Sequence, residues 1–315
     1  MPDPVVPAEE RLLVIRHGDL RGIVQSLGAL QAIRDYHPAA HVTLLTTAPY
    51  AAFLQASGCA DEVWSDALPL WRLSQWRVLV RRLHSGDFSR VYDLQQSLRS
   101  GFYFGLLPLP RPDWSGRAWG CSRPYRPSRA NMHPVDRLAE QLRQAGIPAI
   151  PPVRLNWTDT DISRWQLGRR YALLAPGGRG QGGASGFWPV GHYATLARAL
   201  LADGIQPALL GTAGDTLLAE EILAAAPGCR NLVGRTDLFD LVSLARHAAV
   251  AIGDDNGALH LLAAAGAPSL ALFSAAADPA VAEPRGPAVR ILRAAMLDVV
   301  PVEEVLAALA LLERS

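Results

Sequence analysis

At 315 residues, half of them hydrophobic, the chain is too long for one ordinary core and carries enough apolar material for two. Its formal net charge of +1 excludes a global attraction to nucleic acid. No lysine occurs, so all 30 basic residues are arginine, and any cation that a phosphate site needs must be a guanidinium.

The N-terminal ten residues are Pro-rich and acidic, without the basic and apolar regions of a signal peptide. Residues 12–15 form a short apolar run ending at Arg16-His17-Gly18, and helical spacing follows from about 23 to 36. A second strand is expected at 41–45, with a helix through Phe53, and further strands at 62–64 and 90–94. Apolar runs of four or five residues alternating with helical periodicity imply a parallel sheet covered on both faces. The stretch 108–134, rich in Pro, Arg and Trp, breaks that rhythm; helical pattern returns at 135–146 and ends at 148–152. A polar passage, 156–170, links to the second half, which sets the expected domains at 11–160 and 161–315.

The second half repeats the rhythm more cleanly. Strands are expected at 171–175, 206–210, 231–233, 249–252 and 269–273. Helices are expected at about 190–202, from about 215, through Leu244, at 258–265 and at about 302–312. The three cysteines, Cys59, Cys121 and Cys229, are far apart and form neither a metal-ligand pattern nor a disulfide framework. No apolar run approaches the length of a membrane span. These features predict a cytoplasmic protein with no metal site and no bound cofactor.

In a doubly wound sheet a ligand sits at the carboxyl ends of the strands where their order reverses. With the common order 3-2-1-4-5 in the second half, the loops at the reversal are 176–188 and 253–257, its two most glycine-dense loops. The second feeds a helix that Asp255 or Asn256 can cap, leaving amides near Gly257 aimed outward as an anion site. A plain turn needing Gly and Asx for its geometry fits the same residues. His260, one turn on, reads either as a contact to phosphate or sugar or as a donor to a local carbonyl.

Five ordered segments together carry a family resemblance. Gly253-Asp254-Asp255-Asn256-Gly257-Ala258-Leu259-His260 resembles the G-N-D-[ST]-G-P-x-H signature of glycosyltransferase family 9, the heptosyltransferases of lipopolysaccharide synthesis. Leu13 to Gly18 is similar to that family's opening strand and glycine loop, and Tyr92-Asp93-Leu94-Gln95 to its D-x-Q strand end. Trp188-Pro189 with His192-Tyr193 resembles its W-P-x-x-x-[FY] helix start, and Asn231 to Thr236 its N-L-x-G-x-T turn. The resemblance implies a GT-B fold, two Rossmann-like doubly wound domains facing a central cleft. It also implies an inverting, metal-independent transfer of heptose from ADP-heptose to a lipopolysaccharide inner-core acceptor. The second domain would hold the nucleotide sugar through Asp255, Asn256, Gly257 and His260, and the first would present the acceptor.

Two departures bear on activity. The family's first loop reads R-x-G-A-L-G-D, with the Asp as general base; ungapped, Gly22 stands at that position, and Asp19 lies three residues earlier. Asp19 is either a displaced base or a cap. The family's Lys and Arg before W-P are replaced by Gly186-Phe187, so Arg179 or Arg21 is the candidate phosphate cation, each otherwise a solvated loop charge. The alternative to an active transferase is a catalytically silent relative that binds nucleotide sugar or acts in envelope glycan assembly. A Rossmann oxidoreductase is the least favoured of the three readings.

On the acceptor side, Arg16 and Arg21 lie in the first glycine loop, and Asp93, Gln95 and Arg99 at the carboxyl end of a strand of the first half, facing the expected cleft. Two basic-aromatic segments accompany them. One runs from 111 to 129, and the other is the helix-like 71–84, with Arg72, Arg77, Arg81 and Arg82 beside Trp71 and Trp76. Both suit a phosphorylated glycolipid and peripheral contact with the inner membrane, or else a solvated face packed by its own aromatics.

Overall fold

A computed structural model describes residues 10–65, 73–129, 131–177 and 187–312. The chain forms two compact units, Met1–Val153 and Arg154–Ser315. The first holds β1 (Arg11–Ile15), β2 (His41–Thr46), β3 (Glu62–Ser65), β4 (Arg90–Asp93), β5 (Asp113–Gly116) and β6 (Arg123–Pro124). They pair in parallel in the order β3-β2-β1-β4-β5-β6. The second holds β7 (Tyr171–Ala175), β8 (Gln206–Leu209), β9 (Arg230–Asn231), β10 (Val250–Asp254), β11 (Ser269–Ser274) and β12 (Val289–Ala294). Their order is β12-β11-β10-β7-β8-β9, again parallel. Counted within each unit, both sheets read 3-2-1-4-5-6, the order expected for the second half with one strand more.

Central strands are apolar along almost their whole length. Tyr171–Ala175, Val250–Asp254 and Ser269–Ser274 are buried at every residue, as a sheet covered by helices on both faces requires. The edge strand β12 differs: Leu292 turns inward while Arg290 and Arg293 are exposed. Each unit has its own core. Leu13, Ile15, Val91, Tyr103 and Trp114 belong to the first, and Leu174, Ile252, Leu270, Leu272 and Trp188 to the second.

The division falls between Val153 and Arg154. Arg246 donates to the carbonyls of Leu155 and Thr158, and the Thr160 amide donates to Ser243 Oγ at 2.9 Å. Residues 154–160 therefore lie against the Leu238–His247 helix of the second unit. All three cysteines are buried and unbridged.

Candidate functional site

In the second unit the sheet order reverses between β7 and β10, and Gly253 pairs with Ala175 across that line. A Cβ at Gly253 would stand 2.4 Å from the Ala175 carbonyl oxygen, so the close approach of the two strands depends on glycine. The next residue, Asp254, is 1 % exposed. Its carboxylate accepts from the Gly177 amide at 2.6 Å and the Trp188 amide at 3.2 Å, one at the start and one at the end of the 176–188 loop. Burial, opposed by these two amide bonds, lifts the Asp254 carboxyl to about 6. The buried Tyr193 phenol faces the same carboxylate; its own burial and then that charge hold it well above its usual range.

The helix Gly257–Ala264 starts directly after this strand end. Asn256 is its cap: Oδ1 accepts from the Leu259 amide at 3.0 Å, while Nδ2 donates to the Ala175 carbonyl at 2.8 Å. The His260 amide closes onto the Asn256 carbonyl. First-turn amides have no carbonyl four residues back to bind, so those of Gly257 and Ala258 stay available to an anion. The His260 ring is 1 % exposed, and its Nε2 lies 3.7 Å from Asp255 Oδ1. Asp255, Asn256, Gly257 and His260 are thus gathered at one helix start. Arg179 lies outside the described residues.

Trp188 and Pro189 build the loop's far end. Trp188 Nε1 donates to the Val300 carbonyl at 2.9 Å, its ring meets Tyr193 edge-on at 4.8 Å between centroids, and Pro189 precedes the Val190–Ala202 helix. Sequence reasoning quoted Asp254 only as a letter of a motif and missed its role. An acid closing an otherwise apolar strand was the available signal, since a carboxylate buried there must be paired.

In the first unit the same reversal falls between β1 and β4. Arg16 crosses it: Nη2 and Nε donate to the Gly22 carbonyl at 2.6 and 3.1 Å, and Nη1 to the Leu94 carbonyl at 3.0 Å. Burial, partly offset by Asp19, lowers the Arg16 guanidinium to about 10. The His17 amide donates to Gln95 Oε1 at 3.1 Å, and Gly18 takes φ +119°, which only glycine adopts readily. Asp19 is exposed and caps the Leu20–Tyr36 helix, with Oδ1 accepting from the Gly22 amide at 2.9 Å. Its other oxygen has no hydrogen-bond partner among the described residues. A Cβ at Gly22 would meet Arg16 Nη2 at 2.8 Å and Asp19 Oδ1 at 3.2 Å.

Asp93 is wholly buried. Its carboxylate accepts from the amides of Gln95 and Gln96 and from Ser100 Oγ, at 3.1, 2.9 and 3.0 Å, so it shapes the turn after β4. Burial outweighs these bonds and lifts it to about 6. Arg99 Nε donates to Tyr103 Oη at 2.8 Å, along its own helix. The structure therefore brings Arg16, Asp19, Asp93 and Gln95 into one cross-tied turn, while Arg21 and Arg99 stand half-buried on the first turns of two helices. Of the helix-like 71–84 segment, Leu73–Ser85 is helical, and Trp71 and Arg72 lie outside the described residues.

Comparison with known proteins adds to this geometry. A family model, "Glycosyltransferase family 9 (heptosyltransferase)", matches residues 76–300. The lipooligosaccharide heptosyltransferase 2 of Haemophilus influenzae is 38 % identical over 91 residues, 27 % of this chain and 26 % of the relative. The lipopolysaccharide heptosyltransferase 2 of Escherichia coli K12 is 28 % identical over 225 residues, 64 % of each chain. The alignments thus span about a quarter of one relative and under two thirds of the other. Among solved structures, the E. coli heptosyltransferase WaaC with ADP superposes with a TM-score of 0.78 at 17 % identity, over 96 % of this chain and 99 % of that one. That likeness shows the fold, a GT-B pair of Rossmann-like units. With more than two thirds of its length inside the matched span, the chain belongs to glycosyltransferase family 9, the heptosyltransferases.

Proposed function

We propose that this protein is an inverting, metal-independent glycosyltransferase that moves a heptose from ADP-heptose to a lipopolysaccharide inner-core acceptor at the cytoplasmic face of the inner membrane. The observation that supports the donor half most is the helix start at Gly257, whose two open amides stand beside a strand pair held together by Asp254 and Asn256. The diphosphate binds these amides, Asp255 and His260 contact phosphate or sugar, and Arg179 supplies the cation that a lysine provides elsewhere in the family. An acceptor hydroxyl attacks the anomeric carbon from the face opposite ADP. The new C–O bond forms as the old one breaks, ADP leaves with the bonding pair, and Asp19 takes the hydroxyl proton through the oxygen not used in its cap. Arg21 and Arg99 face the acceptor, while Arg16, Asp93 and Gln95 hold the turn that presents Asp19.

One observation favours a second reading, a silent relative that binds nucleotide sugar without turnover. Arg16 fills the space a side chain at Gly22 would need, and Asp19 already has a structural task. Titration with ADP and ADP-heptose, followed by multiple-turnover assay of ADP release with a lipopolysaccharide-core acceptor, separates the readings. Ligand-dependent stabilisation with turnover supports the transferase, and stabilisation without turnover across acceptors supports the silent relative. Absence of any stabilisation overturns both.

A further inference from the structure

Among the described residues, Asp87, Gln96 and Gln166 are the non-glycine positions with a positive φ, a conformation that side chains adopt at a cost. Asp87 and Gln166 are exposed and lie ahead of β4 and β7, at the amino ends of those strands. Gln96 alone follows a strand. At φ +53° it stands just past the end of β4, beside the reversal between β1 and β4, where a doubly wound sheet takes its ligands. The turn itself does not ask for a glutamine there. Asp93 Oδ1 closes it on the amides of Gln95 and Gln96, bonds that almost any residue type could donate, and a glycine would take the same φ without strain.

The side chain is held as firmly as the backbone. Gln96 Nε2 donates to Gln141 Oε1 at 2.6 Å. Gln141, wholly buried on the Pro134–Gln144 helix, donates through its own Nε2 to the carbonyls of Asp93 and Ser115, at 3.0 and 3.1 Å. Those carbonyls stand where the β4–β5 ladder stops, at the pairing of Tyr92 with Ser115. Both are acceptors, so the amide nitrogen of Gln141 must face them and its oxygen must face Gln96. The Gln96 carboxamide is oriented in turn, nitrogen on Gln141 and oxygen away from it. Gln96 is half-buried, and its Oε1 has no hydrogen-bond partner among the described residues. Arg16 on the Leu94 carbonyl and the His17 amide on Gln95 Oε1 tie this turn to the loop that carries Asp19.

We propose that Gln96 is an acceptor-binding residue, whose carboxamide oxygen, preset by Gln141, accepts a hydrogen bond from a hydroxyl of the acceptor sugar. The assignment rests on the transferase reading, in which the first unit presents the acceptor. An amide oxygen can only accept, so its partner is a hydroxyl donor and not a phosphate or a carboxylate. A side chain already fixed before the sugar arrives loses little freedom on binding, which is what the strained backbone and the buried partner secure. Gln141 is a positioning residue that acts through Gln96.

The test is calorimetric binding of a delipidated lipopolysaccharide-core oligosaccharide to the full chain with ADP present, beside steady-state ADP release. Gln96→Gly suits the left-handed backbone and deletes the carboxamide. It should weaken oligosaccharide binding about tenfold and raise the acceptor KM to match, with kcat and ADP affinity unchanged. That difference should persist in high salt, because no charge takes part. Gln141→Met should weaken binding about threefold alone and add nothing in the Gln96→Gly background. Should Gln141→Met not fold, Gln96→Gly still decides the matter. Oligosaccharide binding unchanged in Gln96→Gly overturns the proposal and leaves the transferase reading standing. Loss of ADP affinity together with oligosaccharide affinity marks Gln96 as structural and also overturns it. A parent that binds ADP but no oligosaccharide overturns both. In a parent that binds the oligosaccharide without turnover, the transferase reading fails, while the tenfold difference in binding still supports the role of Gln96.

Discussion

The Gly177 amide donates to the Asp254 carboxylate at 2.6 Å, so the loop after β7 starts from a point fixed by β10. The Trp188 amide, at the loop's other end, binds the same carboxylate. One buried acid thereby sets both ends of the loop that leaves the sheet where its order reverses. Asp254→Ala leaves two amides without acceptors and should destabilise the second unit by about 2–5 kcal/mol, read from denaturant unfolding. ADP affinity should fall with it.

Stability should depend on pH through Asp93 and Asp254. Burial raises both to about 6, above the ordinary carboxylate value of 3.8. Between those values the folded state binds more protons than the unfolded one. The resulting stabilisation is full below the unfolded pKa and is lost as pH rises through about 6. Asp254→Asn removes one share of it, so the gain in unfolding free energy from about pH 7.5 to about pH 5 should shrink by about 1 kcal/mol relative to the parent.

Asp19 gives a separable pair of outcomes. Asp19→Ala removes a helix cap and should lower stability by about 1 kcal/mol, whereas Asp19→Asn keeps an acceptor for the Gly22 amide and should change stability little. With Asp19 as the general base, both variants should lose about 10²- to 10⁴-fold in turnover. Thermal melts beside steady-state ADP release distinguish cap from base. Full turnover in Asp19→Asn would sink the base assignment.

Gly253→Ala probes the strand contact directly. The new methyl would press on the Ala175 carbonyl, and we expect a loss of about 1–3 kcal/mol. Circular dichroism melts measure it. Gly105, where an added Cβ meets nothing within 4 Å, supplies the control substitution.

Much of the fold could be read from residue order because its strands are short apolar runs bounded by glycine turns. The helices Val190–Ala202 and Val302–Leu312 lie where their periodicity put them, and β7 and β11 stand within a residue of their expected bounds. Reading failed where other forces set the structure. β5 is a polar Asp-Trp-Ser-Gly and β6 an Arg-Pro pair, held by pairing to a neighbour rather than by pattern, with proline tolerated at the edge. The Leu98–Leu106 helix was hidden because its capping box uses Ser97 and Ser100, without the usual acid at the third position. β12 follows a Pro-Arg-Gly-Pro stretch that reads as loop.

The site was legible in part for the same reason. Gly257 and His260 could be placed from their spacing along a helix. Whether Asp19 capped, or Arg16 spanned two strand ends, depended on contacts between positions such as Arg16 and Leu94, 78 residues apart. No local pattern encodes those contacts.

Asn256 carries a further consequence. A serine or threonine, the residues usual there in the family, could offer an oxygen to the Leu259 amide but has no second arm long enough to bind Ala175. An aspartate would turn a lone pair toward that carbonyl and repel it. A carboxamide carries its donor and its acceptor on separate atoms, so it clamps helix and neighbouring strand with one side chain. What looks in the sequence like a lapse from the family's spelling is, in three dimensions, an added rivet.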